Sequence, residues 1–77
     1  MKKVFLLKYC GDIFAVCTSK RTAVEKSIEL LLQKDFIKTD DIAKVRKDLN
    51  AGYDWSKNGY IVRINEISTN QILNKYE

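Results

Sequence analysis

From Val4 to Tyr9, and again from Ile13 to Thr18, the chain is almost continuously apolar, β-branched or aromatic, with Cys10-Gly11-Asp12 between the two runs. Two such runs around a glycine-containing break predict a β-hairpin. Gly11-Asp12 suits a two-residue type II′ turn, because glycine readily takes the positive φ needed at the first central position. That register sets Cys10 against Ile13, Tyr9 against Phe14, Leu7 against Val16 and Leu6 against Cys17. One face of the predicted hairpin then carries Phe5, Leu7, Tyr9, Phe14 and Val16; the other carries Val4, Leu6, Cys10, Ile13, Ala15 and Cys17. Both faces are apolar, whereas a half-solvated antiparallel hairpin alternates apolar with polar. Each side therefore needs a cover. Helices of the same chain can supply one, and further chain or a second molecule the other.

After the hairpin the apolar period lengthens from two to between three and four. Thr18 or Ser19 is a suitable N-cap, and Lys20 to about Lys34 reads as the main helix. Val24, Ile28, Leu31 and Leu32 form its buried stripe, with Ala23 and Ser27 allowing close approach to a sheet. Leu30 widens that stripe and is either a contact with the next helix or part of an interface. Phe36 and Ile37 fall in a connector. Thr39 or Asp40 can cap a second helix, whose positive end suits Asp40 and Asp41. Ile42, Val45 and Leu49 mark its inner side, Gly52 its stop, and Lys44, Arg46 and Lys47 a solvated outer side.

Asn58-Gly59 is the pair best suited to a type I′ turn and predicts a second hairpin, with Trp55 opposite Val62, Tyr53 opposite Ile64 and Asp54 opposite Arg63. One face is aromatic and aliphatic, and the other holds a complementary charge pair. Ser68 or Thr69 can begin a short C-terminal turn containing Ile72, Leu73 and Tyr76. The order is ββααββ. It predicts an α+β fold, an antiparallel sheet of three to four strands with helices packed on one face, as a single domain over residues 1–77.

Composition narrows the function more by what is missing than by what is present. The chain has no histidine, so the commonest general base and the usual activator of a serine or cysteine nucleophile are absent. Asp40-Asp41 is helix-start chemistry, and the glycines stand singly at turns and helix ends, so no phosphate-binding loop is formed. Cys10 and Cys17 read as small core residues, too far apart along the strands to form a disulfide. No catalytic residue, metal site or cofactor is expected, and the chain should work by binding.

Net charge is +4, and residues 1–26 carry the whole excess, with Lys2, Lys3, Lys8, Lys20, Arg21 and Lys26 against Asp12 and Glu25. Such a region is either a solvated surface or a patch that meets an acidic partner or a phosphate backbone. Lys20, Arg21 and Lys26 are the candidate partner contacts. The apolar stretch before Lys8 is too short for a signal peptide or a membrane span, so a cytoplasmic protein without a membrane partner is expected.

The segments YCGDIFAVCTSKRTAVEKSI and GYIVRINEISTN together resemble small proteins of bacteriophages and related mobile elements. In those, a strand pair precedes a helix and the chain closes on a strand ending in a Glu-Ile-x-x-Asn segment. The matching positions are Gly11, Asp12, Ser19, Lys20, Ala23, Glu66, Ile67 and Asn70, mostly turn and cap residues, so the resemblance transfers no functional residue. It implies a context, in which small proteins without catalytic groups bind and block a host factor, including bacterial immune proteins such as CRISPR effector nucleases. Inhibitors that mimic nucleic acid are commonly acidic, and this chain is basic, so the modes that fit are occupation of a protein surface or holding the target in an inactive state.

The expected function is thus a non-enzymatic inhibitor or modulator of a host defence or regulatory protein. A homodimer can form through the exposed hairpin face, with Phe5, Leu7, Tyr9, Phe14 and Val16 as core or dimer contacts. The alternative class is a small nucleic-acid or nucleotide-binding regulator using the basic stripe, with Tyr9 and Phe14 as stacking surfaces. A third is a sponge that sequesters a signalling nucleotide at a symmetric interface.

Overall fold

The computed structural model describes residues 3–68. The C-terminal turn expected around Ile72, Leu73 and Tyr76 lies outside the described residues, and Ser68 is the last residue of a strand. Strands β1 (Lys3–Tyr9) and β2 (Asp12–Cys17) lead into helix α1 (Lys20–Gln33). A 3-10 turn over Thr39–Asp41 runs into helix α2 (Ile42–Asn50), and β3 (Trp55–Lys57) and β4 (Tyr60–Ser68) complete the chain. The class is α+β and the order ββααββ, as the apolar pattern predicts. All four strands join one antiparallel sheet in the order β2-β1-β4-β3, which puts β1 and β4 in the middle.

Helix α1 begins where the sequence requires. The Ser19 hydroxyl accepts a hydrogen bond from the Thr22 backbone N–H at 3.1 Å, satisfying one of the donors that a helix start leaves unpaired. The helix ends through Asp35 at φ +59, with the Phe36 N–H donating to the Leu31 carbonyl at 2.9 Å. This left-handed residue closes the last turn in the position that glycine usually occupies. Before α2, the Asp41 carboxylate accepts from the Lys38 backbone N–H at 3.0 Å, so this aspartate acts as helix-start chemistry. Gly52, at φ +94, terminates α2.

The core lies between the two helices and one sheet face. Leu7 from β1, Val62 from β4, Val24, Ile28, Leu30 and Leu31 from α1, Ile37 from the connector, and Val45 and Leu49 from α2 form one buried cluster. Ser27 is fully buried without penalty, because its hydroxyl donates to the Ala23 carbonyl one turn back at 2.8 Å. Two expectations change. Leu32 is only partly buried, and Leu30 is the fully packed leucine. Leu30 shares the buried cluster with Val45 and Leu49 of α2 and also borders, with Phe14 and Ala15, the seam between α1 and β2.

The second hairpin has the expected register, Trp55 opposite Val62, Ser56 opposite Ile61 and Lys57 opposite Tyr60, around Asn58 at φ +52 and Gly59 at φ +87. The first hairpin does not. Its turn is Cys10-Gly11, at φ +52 and +88, a type I′ geometry in place of a type II′ turn at Gly11-Asp12. Phe5 consequently opposes Cys17, Leu6 opposes Val16 and Leu7 opposes Ala15, while Lys8 opposes Ile13 and Tyr9 opposes Asp12. The pairing skips Phe14, a β-bulge that shifts register between Leu7 and Lys8. Because side chains alternate with period two, that shift redistributes the hairpin's apolar residues between its faces.

Candidate protein-binding surface

Alternation from the buried residues Leu7, Cys17 and Val62 fixes which side of the sheet meets the helices. Phe5, Tyr9, Ala15, Trp55, Ile64 and Glu66 share that side through their cross-strand pairings. The opposite side carries Val4, Leu6 and Lys8 from β1, Ile13 and Val16 from β2, and Ile61, Arg63, Asn65 and Ile67 from β4. Among the described elements none lies over it. Val16 is 61% exposed, Ile13 58% and Ile61 42%, values that contrast with complete burial of Leu7 one position from Leu6. Single exposed aliphatic residues are ordinary on a protein surface; a contiguous set in which half-buried Val4 and Leu6 of β1 join exposed residues of β2 and β4 is not.

The five residues expected to act together are therefore divided. Leu7 is core; Phe5 and Tyr9 are half-buried on the helix side; Phe14 stands exposed at the bulge beside α1; Val16 lies on the open face. The physical cause is the β-bulge at Phe14: the Cys10-Gly11 turn moves the pairing by two residues, which keeps the faces, and the bulge then changes it by one, which turns Val16 to the open side. Lys20, Arg21 and Lys26 are not brought together either, since successive helical positions rotate by about 100°. The Lys20 ammonium donates to the Asn50 carbonyl at the end of α2 at 2.7 Å, Arg21 borders the α1–α2 seam near Arg46, and Lys26 points toward the β2 side with Phe14. Of the three expected partner contacts, Lys20 and Arg21 thus lie toward α2 and Lys26 toward β2.

Charge on the open face is sparse and positive. Lys8 and Arg63 are cross-strand neighbours. Arg63 is held by Asp54, with Nη2 and Nε donating to one carboxylate oxygen at 2.8 and 3.0 Å, and this bond raises the guanidinium pKa above its ordinary value. The pair is the one expected from the Asn58-Gly59 register. Lys8 engages in no ion pair among the described residues. It borders, with Cys10, Gly11, Ile61 and Arg63, a cavity of about 230 Å3 at the turn end of the face.

At that same end, on the helix side, four aromatic rings gather that the sequence pattern does not associate. Phe36 from the connector packs on Tyr60 at 4.8 Å and Trp55 at 5.6 Å between ring centroids, and Tyr60 lies parallel to Tyr9 at 6.2 Å. The Lys34 ammonium sits 5.1 Å from the centre of the Tyr9 ring, a cation–π distance. Burial, and secondarily the neighbouring Cys10, raises the Tyr9 hydroxyl above the ordinary tyrosine range. These rings stack on one another, so they lock the connector to the second hairpin. The helix surface expected to be merely solvated is also tied, because Arg46 makes two 3.1 Å hydrogen bonds to both Glu25 carboxylate oxygens and links α2 to α1.

Cys10 is exposed at the first turn and Cys17 is buried under α1, on opposite ends of β2, and both are free thiols. Among the described residues, no three His, Cys, Asp or Glu side chains gather as a metal site would require, and no helix is long and apolar enough to cross a membrane. No protein-family model, curated protein or solved structure matches the chain.

Proposed function

We propose that this chain is a non-enzymatic, bacteriophage-type host-interaction protein that inhibits or modulates a host defence or regulatory protein by binding it through the open sheet face. The observation that carries the reading is an aliphatic surface that no described element covers, with Ile13, Val16 and Ile61 exposed and Val4, Leu6 and Ile67 half-buried, and with Lys8, which makes no ion pair among the described residues, as its cation. Such a surface fits a partner that is apolar at its centre and offers a carboxylate to Lys8, since burying an unpaired ammonium is costly. The resemblance of the hairpin-helix and closing-strand segments to small phage proteins supplies the cellular context, which is the host cytoplasm.

The alternative, nucleic-acid binding, is favoured by Lys8 and Arg63 lying side by side. Against it, single-stranded nucleic acid is held by aromatic platforms on which bases stack. The open face is aliphatic, and Tyr9 and Tyr60 already stack on each other.

Capture from host lysate by the tagged chain, run in parallel with Val16→Glu and Ile61→Glu, tests the reading. The expected result is one protein retained by the parent and lost from both variants, whose exposed positions leave folding intact. Retention of the same protein by all three overturns the open face as the site. Nucleic-acid affinity that falls steeply with salt and survives the two substitutions favours the alternative.

A further inference from the structure

The two edges of the sheet are unequal. β3 is only three residues long and carries Lys57, whereas β2 runs for six residues with no lysine, arginine or proline. Short strands and charged side chains are the usual means of blunting an edge, and β2 has only Asp12 at its first position and the bulge at Phe14. Among the described residues it is the outermost strand and pairs only with β1, so its other side presents backbone N–H and C=O groups without a strand partner among them. Phe14, 54% exposed, stands at this edge beside Lys26, Glu29 and Gln33 of α1.

Lys26 and Glu29 make this flank complementary to itself. They are one helical turn apart, of opposite sign, and neither is engaged in an ion pair among the described residues. A two-fold axis between them sets each Lys26 against the other copy's Glu29 and each Phe14 toward its mate, as an isologous interface demands. The open face offers no such free pair of opposite charges, because Lys8 makes no ion pair among the described residues and Arg63 is already engaged by Asp54.

We propose that the occupant of the β2 edge is a second copy of this chain, joined antiparallel through β2 so that two four-stranded sheets become one of eight strands. The α1 flanks meet above the junction, and both open faces remain free on the same side. The inference is independent of the function proposed above, since it uses a different surface.

Light scattering and sedimentation of the full chain at about 100 µM read the outcome, with tightness judged on the usual free-energy scale of association. The parent should be dimeric. Lys26→Glu should weaken the dimer about tenfold, Glu29→Lys likewise, and the double swap Lys26→Glu/Glu29→Lys should restore it, a rescue that damage to the fold does not produce. Ile61→Glu, on the open face, should leave the mass unchanged while abolishing partner capture. A monomeric parent, a dimer insensitive to the charge reversals, or a dimer broken by Ile61→Glu overturns the proposal.

Discussion

The two hairpins of this protein turn through nearly the same backbone shape by different means. Cys10-Gly11 has φ +52 and +88, and Asn58-Gly59 has φ +52 and +87. Asparagine accepts the left-handed region because its short polar side chain can bond locally; cysteine has no such compensation. What holds Cys10 there is distant in sequence. Its backbone N–H donates to the Ile61 carbonyl of β4 at 2.8 Å, so the first turn is imposed by the neighbouring strand, while the second is specified by its own residues. Identical geometry can thus be locally encoded in one part of a small domain and borrowed in another.

That contrast can be broken most strongly at Leu7. It is fully buried on the central strand, and Leu7→Ala should cost about 2–5 kcal/mol through lost burial and the cavity left behind. In a domain expected to have only about 4–12 kcal/mol in total, urea unfolding should show a much lower midpoint. Leu6→Ala, on the open face of the same strand, should move the midpoint far less. A smaller effect follows from the turns. Gly59→Ala places a side chain at φ +87 and should destabilise by about 1–2 kcal/mol. Cys10→Asn makes the first turn an Asn-Gly like the second and should raise stability by about 0.5 kcal/mol, measured by the same unfolding curves. Equal loss from both substitutions removes the distinction between a borrowed and a locally specified turn.

The mildest test uses pH. Because burial raises the Tyr9 hydroxyl, the folded state favours its neutral form; the associated stability is complete below the ordinary tyrosine value of about 10 and is lost as pH rises through the raised one. Thermal unfolding between neutral and strongly alkaline pH should show this decline, and Tyr9→Phe should flatten it.

The same division between local and borrowed structure explains what could be read from residue order. Ser19 as cap, the Val24–Ile28–Leu31 stripe, the Gly52 stop and the Asp54–Arg63 pair are consequences of short-range chemistry, and each is legible. The Cys10-Gly11 turn is not, because Asp12 is the more usual turn residue and the hydrogen bond that decides the matter comes from Ile61. Nor is the bulge at Phe14, and missing it moves Val16 to the other face, which is why the expected five-residue surface is divided and the aliphatic face has to be assembled from β1, β2 and β4. Phe36 presents the same difficulty: nothing in a connector announces that its ring will sit between Trp55 and Tyr60.

The middle of the sheet joins the chain's first and last described strands, with Lys3 opposite Ser68 and Tyr9 opposite Val62. On the ribosome, therefore, β1 has to wait until β2, both helices and β3 have been delivered before its main neighbour exists. Such non-local pairing is slow to nucleate. A nascent chain carries one long side of β1 unpaired until β4 has been made, so the order of manufacture, and not only the finished shape, is a condition that its cell has to accommodate.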